Sequence, residues 1–492
     1  NATNSKLKRF GNHSYYGDGI SSLAGSDRPS ARAISNIVSA QSGDLVNSKG
    51  ASDFLWQWGQ FLDHDIDLTE GAHPAEPANI AVPAGDPWFD PNNTGTAIIE
   101  LNRSIYAANT GNSTAKPRQQ INEITGWIDA SNVYGSDPER AAAIRLNDGS
   151  GQLKTSAGNL LPFNDTGLPN AGGSGNNLFL AGDIRANEQV GLASMHTLFV
   201  REHNRLAAGF RQRHSNWSGE RIYQKSRRIV GAMMQHITYN EFLPALLGDN
   251  AMPAYKGYKP KINAKIRNEF STAAYRFGHS ALSPQLLRLD ANGNEHSAGH
   301  LPLRNAFFRP DRLINEGGIE PVLRGLAAQP MQTIDAKVID DVRNFLFGQP
   351  GSGGFDLVSL NIQRGRDHGL PSYNQMRVQL NLAPAQTFAD ISSNPDTQQR
   401  LADAYITVDK VDLWAGGLAE DAHRQSHLGK TLHRIVKRQF KKLRDGDRFW
   451  FQRALGNREL RIVESSSLAD IIIRNSDIVA GEIPANVFSV NP

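Results

Sequence analysis

The sequence predicts a mainly α fold: one large helical body with long loops and little β. Three observations carry this. Apolar residues recur at helical spacing in several long stretches, alternating β patterns are few and short, and no repeat of fixed period occurs. The 45 Gly and 24 Pro among 492 residues are close to average usage, and they concentrate in segments without periodicity, which read as long loops. Length alone suggests about three domains, but the helical signal favours a single body. Residues 1–30 are expected to form an N-terminal arm and 31–492 the main domain.

The first 50 residues are polar and rich in Gly, Ser and Asn, and read as irregular. A helix follows, with Ser52 as its expected N-cap and Phe54, Leu55, Trp58, Phe61 and Leu62 as its apolar stripe. Residues 70–120 and 149–176 read as loops, the second with Gly172, Gly173 and Gly175 at its tip. From about 190 the helical signal is strong. Leu192, Met195, Phe199, Leu206 and Phe210 mark one stripe; Ile229, Val230, Met233, Met234, Ile237 and Phe242 mark another, expected to end near Pro244. Further helices are expected at 266–278, 336–347, 371–381, 396–406 and 430–455, with Pro371 in a first turn.

Composition narrows the function. The 52 basic and 49 acidic residues leave a net charge of +3, which gives no general electrostatic case for nucleic acid as partner. No apolar run approaches the ~20 residues of a membrane span. Zero Cys excludes disulfides, zinc–thiolate and iron–sulfur sites and a Cys nucleophile. It also suits a protein that generates oxidants, since thiols are destroyed first. A chain starting at Asn1 is expected to be a processed or trimmed product.

Five segments could carry chemistry. On a helix, Gln60, Asp63 and His64 are spaced i, i+3, i+4 and share one face, offering an amide, a carboxyl and an imidazole to one small volume. Read alone, this is equally a solvated acidic helix end. In an extended stretch, Thr125, Trp127, Asp129 and Ser131 point the same way, and the hydroxyls and carboxylate are hard oxygen ligands suited to calcium; an ordinary turn fits as well. Arg185 and Glu188 stand at a helix entrance. His279 lies in an Ala- and Phe-rich stretch after Tyr275 and Arg276. Asn361 to Gly369 packs Arg364, Arg366, Asp367 and His368 together, as a site or as a buried ion-pair knot. His196 and His203, seven apart, could bind a metal but are expected to face outward. No His-Glu-x-x-His motif, phosphate loop or full dinucleotide fingerprint occurs.

Taken in order, these segments resemble the animal-type haem peroxidases of the peroxidase–cyclooxygenase superfamily, specifically the myeloperoxidase, lactoperoxidase and peroxidasin branch. The resemblance runs from about residue 30 to about 460. It includes Trp58 to Asp67, Ile128 to Gly135, Ser194 to Arg205, Gly278–His279 and Asn361 to Gly369. It implies a haem peroxidase domain using hydrogen peroxide to oxidise halides or thiocyanate and small aromatic, phenolic donors. His64 resembles the distal His, Gln60 its water- or halide-binding neighbour and Arg185 the distal Arg. His279 resembles the proximal iron ligand and Asn361 the acceptor of its Nδ1–H. Asp63 and Glu188 match the acids that form ester links to haem b, Arg364 a propionate partner, and Arg276 a neighbour of the same edge. Asp65, Thr125, Trp127 (through its carbonyl), Asp129 and Ser131 match a structural calcium site. A secreted or extracytoplasmic location is implied.

Two departures matter. Gln189 stands where myeloperoxidase has a Met bonded to a haem vinyl group, so that link is impossible and bromide, iodide or thiocyanate should be favoured over chloride. The family's disulfides are absent, which points to a bacterial-type or remote member. Two other functions compete: a fatty-acid dioxygenase of the same superfamily, and a non-enzymatic haem- or calcium-binding adhesion module. Oxygenases carry a radical Tyr three residues before the proximal His. Here that position is Arg276, and Tyr275 is off by one.

Overall fold

A computed structural model describes residues 2–11, 13–350 and 352–490. It is mainly helical. Strand is confined, among the described residues, to four two-stranded pairs of two residues per strand. Three are antiparallel (Ser5–Lys6 with Ile121–Asn122, Ile80–Ala81 with Ile98–Ile99, Gln285–Leu286 with Leu301–Pro302), and Gln349–Pro350 runs parallel to Gly353–Gly354. Five helices form and surround the candidate site: α1 (Phe54–Ile66), α4 (Gly278–Ala281) and α5 (Leu357–Asp367) line it, and α2 (Val190–Arg213) and α3 (Gly219–Ile237) lie outside it.

α1 is the central helix. Its stripe was expected on one face, but the helix is buried on every side; only Gln60 and Asp63 are partly exposed. A helix enclosed all round belongs to a core, not a surface. Phe61 stacks on Phe199 of α2 at 5.1 Å, and Trp58 meets the same ring at 5.8 Å. Such aromatic pairs contribute about 0.5–1.5 kcal/mol each beyond area burial, so α1 and α2 are locked together behind the site. The helix starts one residue later than Ser52 predicts: Asp53 is the cap residue, while Ser52 Oγ accepts from the Phe54 N–H at 3.3 Å.

Asp53 is itself informative. It is fully enclosed, its Oδ1 accepts from Ser283 Oγ at 2.8 Å, and its Oδ2 has no partner. Burial pushes its pKa up to about 8 from an ordinary 3.8. A raised folded-state pKa contributes stability that is complete below pH 3.8 and is lost as pH rises through about 8. Asp53→Asn keeps the acceptor and removes the charge. Its melting temperature at pH 8.5 should therefore exceed that of the wild type by about 2 °C or more, with no gain near pH 4. Equal melting curves across that range would show that no charge is buried there.

Elsewhere the sequence expectations need adjustment. The second stripe runs past Pro244: α3 passes through a π-turn at Thr238–Phe242 into Leu243–Leu247. Proline lacks the N–H and crowds the preceding turn, and a wider turn accommodates both. The helix expected at 371–381 begins at Tyr373, with Pro371 outside it; the start is a capping box of Ser372 and Gln375. The helix at 336–347 shrinks to Asp340–Arg343, and 430–455 divides into Lys430–Asp445 and Phe451–Ala454. The expected helix at 266–278 is broken: Asn268–Thr272, then a 3₁₀ turn at Ala274–Phe277, then α4, with Ala273 at φ −131°, ψ −66° between them.

α5 is fixed from its N-terminus. Asp356 caps it by accepting from the Val358 and Ser359 N–H groups, and its other oxygen accepts from Arg32 at 2.9 Å. Arg32, fully buried, also pairs with Asp86 at 2.7 Å. This knot ties the helix Ala31–Val38 and the 86 loop to the start of α5.

Candidate active site

α1, the 185–189 loop, the break before α4, and α5 enclose a cavity of about 460 Å³. That volume is within the ~300–1,000 Å³ of small-molecule and cofactor sites. A larger cleft of about 1020 Å³ lies outside α3, bordered by Trp127, Asp129 and Arg227, but no histidine lines it. The smaller cavity gathers Gln60, Asp63, His64, Arg185, Glu188, Arg276, His279 and Arg364, drawn from four separate segments.

On one wall, α1 presents Gln60, Asp63 and His64 from the predicted face. His64 is 4% exposed, with Nε2 3.8 Å from Glu188 Oε2 and Nδ1 3.6 Å from Asp183 Oδ1. Burial and then the Arg185 charge hold its pKa well below 6.5, so it is a neutral imidazole at pH 7. Gln60 Nε2 donates to Glu188 at 3.2 Å, and Gln189 Nε2 donates to Gln60 Oε1 at 3.0 Å and to Gln57 Oε1 at 2.6 Å. Gln189 also caps α2 through the Gly191 N–H. Burial, reinforced by Asp67, raises Asp63 to about 8; burial, opposed by Arg185, raises Glu188 to about 7. Asp63 is therefore mostly protonated at neutrality, while Glu188 is divided between its two forms.

His279 also lines the cavity, delivered there by the helix break. Burial, then Arg276, lowers its pKa to about 3, so it too is neutral. Asn361 on α5 lies against its Nδ1 at 2.7 Å. The amide is turned with Nδ2 on the ring and Oδ1 accepting from Arg276 at 3.0 Å, the reverse of the acceptor role expected for Asn361. Arg276 also donates to the Ser271 carbonyl at 3.1 Å and forms no ion pair among the described residues. A partly buried guanidinium that lines the cavity and has no ion pair among the described residues fits an anionic group bound there.

Arg364 lines the cavity while one of its nitrogens belongs to the predicted knot, donating to Asp367 at 3.0 Å and Ser104 Oγ at 2.9 Å. Arg366 pairs with Asp412 at 2.8 Å, and His368 bonds Asn268, Thr272 and Ser104; neither reaches the cavity. Site and knot are thus both present in one helix.

Behind His64, Asp65 faces the 125–131 segment. Its carboxylate accepts from the Asp129 and Ala130 N–H groups, each at 3.0 Å, and from Ser131 Oγ at 2.9 Å. Thr125 Oγ1 lies 3.1 Å from Asp129 Oδ1 and 3.4 Å from Ser131 Oγ. The segment is a turn, not the extended stretch expected: Ala130 sits at φ 62°, a strained left-handed position for a residue with a side chain. Burial and then repulsion from Asp129 raise Asp65 to about 8, and Asp129 is likewise raised, with Arg227 as its main opposing charge. A buried Asp65 and a half-buried Asp129 beside two hydroxyls, with no Lys or Arg ion pair among the described residues, fit a hard divalent ion.

His196 and His203 do not face outward. Both are buried in α2; His203 is held by Tyr134 Oη at 2.8 Å and the Gly151 carbonyl at 2.9 Å, so the two rings form no metal pair. Asp183, unassigned in the sequence, emerges as a site residue because its carboxylate touches Arg185; an acid two residues from an Arg on one loop was the available signal.

Comparison with known proteins places the fold and the family. The family profile described as animal haem peroxidase matches residues 1–488. Peroxinectin A of Dictyostelium discoideum is 39% identical over 472 residues, 93% of this chain and 87% of the relative. The human peroxidasin homolog is 40% identical over 476 residues, 89% of this chain but 32% of the relative, so the chain spans about a third of that protein. Among solved structures, Peroxidase A from Dictyostelium discoideum superposes with a TM-score of 0.91 at 36% identity, covering 99% of this chain and 96% of that one. The fatty acid α-dioxygenase of Oryza sativa shares the fold, with a TM-score of 0.81 at 21% identity over 99% and 84% of the two chains. The chain belongs to the animal haem peroxidase family. It is a haem peroxidase, an oxidoreductase with hydrogen peroxide as acceptor. Among the described residues, no helix is long and apolar enough to cross a membrane.

Proposed function

We propose that the chain uses hydrogen peroxide to oxidise bromide, iodide or thiocyanate in preference to chloride, and phenolic donors by single electrons. The observation that carries this reading is the pair of neutral imidazoles, His64 and His279, lining one 460 Å³ cavity together with the Arg185 guanidinium and the Gln60 amide. Haem b would be held by His279 at the iron, by Arg276 and Arg364 at the propionates, and by Asp63 and Glu188 through ester links. When bound, the haem supplies the electrons that cleave the peroxide O–O bond and the oxidising power passed on to the donor.

The chain's own residues do the rest. His64 Nε2 takes the proton from one peroxide oxygen and returns it to the other, which departs as water. Arg185 stabilises the charge developing on that departing oxygen. Gln60 directs its amide at the bound water or anion, oriented by Gln189 and Glu188. For His279 to bind iron through Nε2, Nδ1 must carry the proton; the Asn361 amide then turns its oxygen to accept it, since the two ends of an amide are nearly equal in shape. Arg276, freed from Asn361, turns to a propionate. Asp65, Thr125, Trp127, Asp129 and Ser131 hold calcium against the end of α1. Calcium loading and oxidant release suit a secreted or extracytoplasmic protein.

The test is an absorption spectrum before and after acid–acetone extraction, followed by peroxide turnover. A Soret band that stays with the polypeptide, and bromide or thiocyanate turnover at least about tenfold above chloride, are expected. A fully extractable band removes the ester links. Equal chloride turnover removes the role given to Gln189. Oxygen uptake with palmitate in place of peroxide turnover would favour the dioxygenase, against the position of Arg276 and against Tyr275, whose ring is stacked on Phe270 at 4.7 Å.

A further inference from the structure

Asp183 is 4% exposed and stands between the two groups that handle peroxide in the proposed function, on which this inference rests. Its carboxylate grips Arg185 with both oxygens: Oδ1 accepts from the Arg185 backbone N–H and from Nε, and Oδ2 from Nη2, each at 2.9 Å. On its other side lies His64, with Nδ1 3.6 Å from Oδ1. That nitrogen is enclosed and makes no hydrogen bond to the protein. A buried imidazole nitrogen left unpaired is costly, and the carboxylate within reach of it is the one already held ionised by a guanidinium. Burial works to raise the Asp183 pKa, but Arg185 outweighs it and holds the carboxyl below its ordinary range.

The loop cannot retreat from this position. A Cβ at Gly182 would lie 2.6 Å from both the Asn132 carbonyl oxygen and the Gly135 nitrogen, so the backbone just before Asp183 is pressed onto the 131–135 turn. Asp183 is thereby fixed relative to α1 by packing.

We propose that Asp183 is the positioning residue of the peroxide-handling pair. His64 Nδ1–H donates to Asp183 Oδ1 once a small turn of the ring closes the 3.6 Å separation to hydrogen-bond distance. That proton fixes the tautomer and leaves the lone pair on Nε2, which opens on the cavity toward Glu188. The same carboxylate aims the Arg185 guanidinium. His64 and Arg185 therefore act as one unit whose geometry is set by a third side chain that never touches peroxide.

A merely structural role makes a different prediction. Asp183→Asn still accepts from the Arg185 N–H, so a loop staple would survive, whereas the ionic grip and the charged acceptor for Nδ1–H would be lost. In the holoenzyme, Asp183→Asn is expected to weaken cyanide binding, read from the Soret shift, and to slow the peroxide-induced Soret change, each by about 10–100-fold. The donor-oxidation step should be unchanged and the haem content equal. Asp183→Glu should recover part of the loss. A second measurement needs no variant: in the diamagnetic ferrous carbonyl form of ¹⁵N-histidine-labelled wild type, His64 should show a slowly exchanging proton on Nδ1. Wild-type cyanide affinity in Asp183→Asn, or a proton on Nε2 in the carbonyl form, overturns the assignment of Asp183. A wild type with no cyanide-sensitive Soret band overturns the proposed function itself and this inference with it.

Discussion

Replacing His64 with Ala should slow the reaction with peroxide by about 10²–10⁴-fold, the range for loss of a positioned acid–base group, while the Soret band per polypeptide stays within error of the wild type. The expectation rests on what else could serve as base. Glu188 Oε2 is 3.8 Å from His64 Nε2 and titrates at about 7, and Asp63 lies on the same helix face. Neither can substitute if both are consumed as haem esters. Arg185 remains charged at any working pH, its pKa raised further by Asp183. Imidazole added to His64→Ala should restore part of the rate, because the vacated volume opens on the cavity. The pH profile carries the sign: the base must be neutral, and its pKa is held well below 6.5, so the wild-type rate should stay flat from pH 8 to below 6.5 and fall only in more acid solution. A profile that halves near 6.5 would mean that His64 is solvated rather than enclosed. A full rate in His64→Ala would move the proton transfer to Glu188.

How far this site could be read from sequence depends on which distances are local. Gln60, Asp63 and His64 share a face by helical geometry alone, and α1 puts them there. The meeting of that face with His279 and Asn361 has no local cause. It depends on the break at Ala273, where neither Gly nor Pro marks the irregularity, and on Arg32 anchoring α5 from over 300 residues away. The apolar stripe of α1 was visible, but burial on the opposite face was not, because that face is polar toward a cavity rather than toward water. The same ambiguity misplaced His196 and His203: a polar residue on a long helix reads as outward unless the packing of neighbouring segments is known. Asp183 escaped for a related reason, since an Asp next to an Arg on a loop is ordinarily a surface pair, and only the press of Gly182 on the 131–135 turn makes it a buried one. The resemblance supplied what local spacing could not, by carrying the pairing of distant segments along with the motifs.

Removing the calcium proposed for Asp65 and Asp129 should cost more at pH 8 than at pH 5.5. Without a cation, Asp65 and Asp129 stand side by side, largely removed from water, and both pKa values are raised, Asp65 to about 8. Such groups contribute stability that is complete below pH 3.8 and is lost as pH rises through about 8, because the folded chain holds protons that the unfolded chain has released. A bound dication replaces those protons and reverses the dependence, since both carboxylates are then held ionised. Chelation should therefore lower the melting temperature by about 5 °C or more at pH 8, with a smaller drop at pH 5.5. Asp129→Ala should lose the response to chelator altogether. Terbium supplied in place of calcium should luminesce on excitation of tryptophan, because Trp127 is two residues from Asp129, and Asp129→Ala should abolish that signal. The consequence for catalysis follows from one covalent fact: Asp65 is the residue after His64. Its carboxylate pins the last turn of α1 to the strained turn at Ala130 through hydrogen bonds that stand without an ion, so the proposed calcium would reinforce the anchor behind His64 and its removal would loosen it. Loss of the peroxide step should track loss of terbium-competent sites rather than loss of haem. If chelated protein keeps both its melting temperature at pH 8 and its peroxide rate, the two carboxylates share a proton instead of an ion, and the turn alone holds the helix.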